Sequence, residues 1–295
     1  MTEGKHWPEK RRVTLVGAVV NLALSAGKVA GGIVGQSQAL IADGVHSLSD
    51  LASDVLVLLA ARFGSREADH NHPYGHERIE TLATLGVGLI LIVIGAAFLF
   101  DSVSRLLEPA RQLSPGWLAL GLALLSVLVK EGLYRYTARV ARRTESALLL
   151  ANAWHHRSDA LSSVVVIVGV AGAMMGMRWL DSVAAAIVGV MLGWVGWNLL
   201  GSAATELVDT GLSNRELKAL STTIDAVDDV RSHDRLRSRR MGGRIFVDVR
   251  IHVDADLSVG QAEKVSQRVA DRMIEQLPGQ ADVVISIASS VRAVK

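Results

Sequence analysis

The sequence predicts an α-helical membrane protein with six transmembrane helices, followed by a small α+β domain of order αββαβ. Three observations carry this. Half of the 295 residues are hydrophobic and the mean hydropathy is positive. The apolar residues gather in runs long enough to cross a bilayer, which takes about 20 residues. From about Thr210 onward the chain has ordinary polarity, with helix caps and alternating strands. The expected parts are a polar segment at 1–12, a six-helix membrane domain at 13–205 and the αββαβ domain at 206–295.

The first two spans run from Val13 to Gly35 and from Ala39 to Leu59, joined only by Gln36, Ser37 and Gln38. No signal-peptide pattern is expected at the start, because the first apolar run outlasts one and has no cleavage signal. Gly27, Gly31 and Gly35 form a small-residue stripe that lets a neighbouring helix approach closely. Lys28 in the same span is read as snorkelling or as one half of an internal ion pair.

The second span is interrupted by Asp43, His46, Asp50 and Asp54, which fall within a narrow arc at about 100° per residue. A carboxylate in hydrocarbon is costly, so these residues must face a protein interior or a water-filled path. His46 and Asp50 are one helical turn apart and can close on one small cation. His155 and Asp159 repeat the His-x-x-x-Asp spacing in a second apolar run. One such residue alone would more simply satisfy a neighbour, but a matched pair in two spans points to a metal. Two imidazoles and two carboxylates suit tetrahedral Zn²⁺. With no cysteine in the chain, any metal must be held by histidine and carboxylate.

In the loop from Arg62 to Arg78, Pro73 and Gly75 shape a turn between Asp69, His72 and His76, so convergence on a second metal ion is expected there, with a solvated connector as the alternative reading. The third span is expected from Thr81 to Phe100. The fourth starts at Trp117 and continues as helix past Lys130 and Glu131, the fifth starts near Ala147, and the sixth runs from Leu180 to Ala204. Basic residues mark one side of the membrane: Lys5, Lys10, Arg11 and Arg12 before the first span, Arg62, Arg66 and Arg78 after the second, and Arg135, Arg139, Arg142 and Arg143 after the fourth. The other side has only Arg105, Arg111 and Arg178. The positive-inside rule then places both termini and the histidine loop in the cytoplasm, as in a multi-pass protein of the inner or plasma membrane.

In the tail, Ser213 and Glu216 form a capping box opening a helix to about Ala226. Strands are expected at Leu236–Arg240 and Ile245–Val253, then a helix from Ser258 to Leu277 and a last strand from Asp282 to Ile287, with both helices on one sheet face. The net charge of +2 does not suggest nucleic acid as a partner. There is no His-Glu-x-x-His motif to support an intramembrane metalloenzyme, the reading from another functional class.

Taken together, Asp43 to Asp50, Asp69 to Arg78, Trp154 to Asp159 and the αββαβ tail resemble the cation diffusion facilitator family over essentially the whole chain. The resemblance implies a homodimeric membrane antiporter with a cytoplasmic domain of metallochaperone-like, ferredoxin-like fold. Such a protein exports divalent metal in exchange for protons, with no organic cofactor and with the lipid bilayer as its surroundings. It implies that His46, Asp50, His155 and Asp159 form the transport site and Asp69, His72 and His76 a loop site. It also implies that Arg78 and Asp209 form a charge pair joining the membrane part to the cytoplasmic domain at the dimer interface. Zn²⁺ is the expected cargo and a possible structural or regulatory ligand; Fe²⁺, Mn²⁺ and Cd²⁺ are the alternatives. The tail departs from the family's binuclear pattern, since Arg250 and Glu263 stand at two ligand positions. His233, Asp234, His252 and Asp254 remain as tail candidates, with surface solvation as the alternative role.

Overall fold

The computed structural model describes residues 7–64, 69–144, 146–242 and 244–290. Six long helices come first: α1 (Trp7–Val34), α2 (Gln38–Gly64), α3 (Arg78–Leu107), α4 (Trp117–Arg143), α5 (Ala147–Met174) and α6 (Trp179–Leu207). They are followed by α7 (Asn214–Asp225), β1 (Ser232–Met241), β2 (Arg244–Val253), α8 (Val259–Gln276) and β3 (Ala281–Ser289). Among the described residues, α1, α3, α4, α5 and α6 are long and apolar enough to cross a membrane. The remaining long helix, α2, is the one that carries Asp43, His46 and Asp50. The chain forms two compact units, one of residues up to 56 with 87–198, the other of 57–86 with 199 onward. The second unit therefore holds the histidine loop as well as the tail.

In the first unit the core is built of small residues. Ala39, Ala42, Ala119, Ala123, Ala184 and Ala185 are buried with Leu40, Val166, Val170 and Val188. Lipid is as apolar as these side chains, so close packing, rather than release of water, holds such helices together. The glycine stripe of α1 shows how close that is. A Cβ on Gly31 would collide with the Leu122 side chain, and one on Gly35 would lie 3.0 Å from the Ala119 Cβ; at Gly27 there is open space. Large apolar side chains such as Val19, Ile90, Val93, Leu128, Leu161 and Val168 point outward and are exposed, a surface suited to lipid.

One feature of this unit was not foreseen from the sequence. The first turn of α2 is capped from α6: Asp181 accepts from the Ser37 hydroxyl at 2.6 Å and from the Gln38 backbone N–H at 2.7 Å. A buried carboxylate thus satisfies donors that the start of a helix leaves unpaired.

In the tail the sheet order is β1-β2-β3, with β1 antiparallel and β3 parallel to β2. Ile245, Val247, Val249, Ile251 and Val253 of β2 are buried in one cluster with Leu220 and Ile224 of α7 and Val265, Val269 and Met273 of α8. Both helices therefore cover one face, as the alternation of β2 predicts. β1 begins four residues before the expected Leu236, because Ser232, His233 and Asp234 pair with His252, Ile251 and Arg250. A bulge between Asp234 and Arg237, with Arg235 at φ 54°, breaks the alternation that would have revealed these residues as strand.

Capping boxes open both tail helices, Ser213 with Glu216 and Ser258 with Gln261. The Glu216 carboxyl lies below the ordinary glutamate range because the Ser213 hydroxyl and backbone N–H both donate to it. A carboxylate depressed in the folded state adds stability that is present above its unfolded value and is lost as pH falls through the folded one. Ser213→Ala is expected to speed hydrogen exchange of the α7 amides on the order of fivefold at neutral pH, the cost of a lost N-cap. It should also flatten their loss of protection on acidification; unchanged protection at both pH values would contradict the role of the box.

Candidate metal centre

The α2 and α5 helices bring three of the four predicted transport-site residues together. His46, Asp50 and Asp159 each offer one ligand atom, and these atoms lie within 4.8 Å of one another. The helical spacing makes this possible: His46 Nε2 is 3.8 Å from Asp50 Oδ2, one turn away on α2, while Asp159 approaches from α5. His46 is 7% and Asp159 8% exposed. Asp50 Oδ2 is buried and makes no hydrogen bond, so it is free to serve a cation; His46 Nδ1, the ring nitrogen other than the one facing Asp50, is likewise buried without one. A cavity of about 80 Å³ lies against Asp50 and Asp159, lined also by Asn21, Asn152, His155 and His156. It is polar and of a size for an ion with a few waters.

The fourth residue stands apart. His155 Nδ1 is 3.8 Å from Asp159 Oδ1, but its side chain is 49% exposed and lies outside the three-residue group. The expected tetrahedral set of two imidazoles and two carboxylates is therefore seen as one imidazole and two carboxylates, with the second imidazole at the rim.

Asp43, which shares the α2 arc, does not join the group. It is fully buried and takes a hydrogen bond from each of Lys28 (3.1 Å), Ser162 (2.8 Å) and Ser163 (2.7 Å). This resolves Lys28 as half of an internal ion pair. The side chain of Asp54, the other acid of the arc, lies outside the described residues.

Two residues that the sequence reading passed over face the same region. Lys130 of α4 is 1% exposed, and its Nζ is 3.2 Å from the Asp159 carbonyl oxygen and 3.3 Å from Ser47 Oγ. A lysine within an apolar run was itself the available signal; the continuing helix made it read as the end of a span. His156 is buried, with Nδ1 3.4 Å from Asn21 Nδ2 and Nε2 unpaired. Only its place one turn before Asp159 could have marked it.

In the second unit, Asp69, His72 and His76 converge as expected. His72 Nδ1 lies 3.2 Å from Asp69 Oδ1, His76 Nε2 lies 3.3 Å from Asp69 Oδ2, and the two rings are 4.4 Å apart between centroids. The loop's own backbone fixes the carboxylate, since Asp69 Oδ1 accepts from the N–H groups of His72 (2.7 Å) and Asn71 (2.9 Å). The His72 N–H is the main reason the Asp69 carboxyl lies below its ordinary range. Gly75 takes a positive φ of 91° at the turn before His76. Arg78, the first residue of α3, reaches Asp209 with Nη2 to Oδ1 at 2.6 Å and donates to the Leu207 carbonyl at 3.2 Å. Both partners are exposed in the single chain.

The tail candidates do not converge. His233 turns toward α7, with Nδ1 2.8 Å from Asp225 Oδ1 and Nε2 3.1 Å from the Ser221 hydroxyl. The next residue along β1, Asp234, points to the opposite face and pairs with His252 at 3.3 Å. Asp254 is held by Arg231 at 2.9 and 2.6 Å. Strand alternation sends the neighbours His233 and Asp234 to different faces, and the partners of His233, Asp234, His252 and Asp254 are protein side chains.

Comparison with known proteins identifies the family. Residues 14–208 match the family model of the cation efflux transmembrane domain, and residues 212–289 that of the cation efflux protein cytoplasmic domain. The chain is 32% identical over 266 residues to the manganese efflux system protein MneS of Bacillus subtilis, covering 89% of this chain and 90% of that one. It is 31% identical over 264 residues to the magnetosome protein MamB of Magnetospirillum gryphiswaldense, covering 89% and 88%. It is 34% identical over 293 residues to metal tolerance protein C1 of Arabidopsis thaliana, covering 95% of this chain but only 62% of that longer protein. The chain therefore belongs to the cation diffusion facilitator family of divalent metal transporters, and is a transporter rather than an enzyme.

Proposed function

We propose that this chain, as a homodimer in the membrane, exports a divalent metal ion from the cytoplasm in exchange for protons. The observation that carries the reading is the convergence of His46, Asp50 and Asp159 in a helical unit whose outward surface is apolar. Imidazole and carboxylate must lose protons to bind a cation, so the residues that hold the ion can also carry the counter-protons. The distribution of arginine and lysine supports the orientation, with both termini, the Asp69/His72/His76 loop and the tail on the cytoplasmic side. Alternating access to the two sides would complete the cycle.

The choice of cargo turns on the ligand set. Zn²⁺ follows from counting two imidazoles. One nitrogen and two carboxylates with His155 at the rim suit harder ions equally well, so Mn²⁺ stands beside Zn²⁺ as proposed cargo. The printed name of the MneS relative, a manganese efflux system protein, favours the same addition. Asp69, His72 and His76 supply a second, more exposed set of the same chemistry on the cytoplasmic loop, suited to a structural or regulatory ion.

Reconstituted in liposomes, the protein is expected to carry Mn²⁺, Zn²⁺ or both, faster with an opposing proton gradient than without one. Absence of flux for Mn²⁺, Zn²⁺, Fe²⁺ and Cd²⁺ alike would overturn the proposal. Asp50→Ala and Asp159→Ala each remove a ligand and a charge. Flux should fall by more than the about 10–100-fold that loss of an outer-shell partner costs, and wild-type flux in either variant would refute the site assignment. His46→Asp exchanges a nitrogen for an oxygen, so the ratio of Mn²⁺ to Zn²⁺ transport should rise.

A further inference from the structure

The first unit buries two ammonium groups, and they are not equivalent. Lys28 of α1 and Lys130 of α4, each 1% exposed, both donate to the Ser47 hydroxyl, at 2.7 and 3.3 Å. Lys28 has a carboxylate of its own: Asp43 lies 3.1 Å away, and Ser162 and Ser163 fix that carboxylate from α5. This is a closed structural pair. Among the described residues, the one acid paired with Lys130 is Asp159, with Nζ to Oδ2 at 3.8 Å and the Asp159 carbonyl oxygen at 3.2 Å. An ammonium held out of water is costly unless a negative charge compensates it. The compensating charge here is a carboxylate of the cation-binding group itself.

We propose that Lys130 is the tethered counter-ion of the transport site, holding Asp159 while the cargo is away and repelling the divalent ion once it is bound. The inference rests on the transport reading given above. Its logic is a charge count: Lys28 cancels Asp43, which leaves Asp50 and Asp159 against Lys130. A divalent ion on those two carboxylates makes a neutral group, to which Lys130 adds one uncompensated positive charge. At separations of a few ångströms and an effective dielectric constant of about 20, that repulsion is worth more than a factor of ten in affinity. A site selected for release requires such a limit, because an ion held too tightly cannot leave. Ser47, next in sequence to His46, joins the two ammonium groups and sets where Lys130 rests.

The test compares Lys130→Gln, Lys130→Met and Lys130→Arg with the wild type in proteoliposomes, with Mn²⁺ and Zn²⁺ as the transported probes. Removing the charge should lower KM at least tenfold and lower the maximal rate as well, since release becomes slow. Damage to packing alone would lower the rate without tightening KM. Lys130→Arg restores the charge and should bring KM back toward the wild-type value. Lys130→Met keeps the volume of the lysine stem and carries the same expectation should the Gln variant fail to reach the membrane. An unchanged or raised KM in the Gln and Met variants, or a fall in the Arg variant equal to theirs, overturns the role of Lys130. Wild-type flux beside such results leaves the transport reading standing, whereas a wild type with no flux for either metal overturns that reading and this inference with it.

Discussion

The cost of placing charge in an apolar helical bundle organises this molecule. Asp43, Asp50 and Asp159 sit on helices whose outer surfaces suit lipid, so each must be compensated from within the protein. Asp43 is compensated permanently, by Lys28 and two serines, and it fastens α1, α2 and α5 to one another. Asp50 is not: its Oδ2 is buried without a hydrogen bond. The Asp159 carboxylate has Lys130 and the rim histidine His155, each at 3.8 Å. The contrast between a saturated carboxylate and two unsaturated ones, Asp50 two turns further along α2 and Asp159 on α5, separates structure from function within a single polar cluster.

The two units solve the packing problem differently. In the bundle, alanines and glycines bring helix backbones into contact, as at Gly35 against Ala119, because no hydrophobic force acts between helices in lipid. In the tail, Val, Ile, Leu and Met side chains from α7, α8 and β2 form an ordinary water-excluding core, each worth about 1.5–3 kcal/mol when fully buried. The histidine loop belongs to the tail's unit. Gly242, at the tip of the β1–β2 hairpin with φ 53°, packs so closely that a Cβ there would lie 2.5 Å from the Glu77 carbonyl oxygen. Glu77 also pairs with Arg244 at 3.2 Å.

Much of this was legible in the sequence, for a definite reason. Spans, caps and the His-x-x-x-Asp pairs are local patterns, and a helix converts their spacing directly into a shared face. The convergence of Asp69, His72 and His76 was legible on the same ground, since a short turn with Gly75 can fold only so many ways. What the sequence did not disclose depends on how helices rotate against each other. His155 lies at the rim while the neighbouring His156 turns inward, and Lys130 meets Asp159 across 29 residues of chain. In the tail the two roles left open, ligand or solvated surface, are separated by strand alternation: His233 and Asp234 are adjacent in sequence and so face opposite sides of β1, each toward its own side-chain partner.

The central claim is that the unsaturated group on α2 and α5 is where the cargo rests. Anomalous diffraction from crystals of the full-length protein grown with Mn²⁺ or Zn²⁺, recorded on either side of the metal's absorption edge, locates the ion directly. The account predicts a peak at bonding distance, roughly 2.0–2.2 Å, from His46, Asp50 and Asp159, with the Lys130 ammonium withdrawn from Asp159. A metal-saturated crystal with peaks only at the Asp69/His72/His76 loop, and none between α2 and α5, would contradict it.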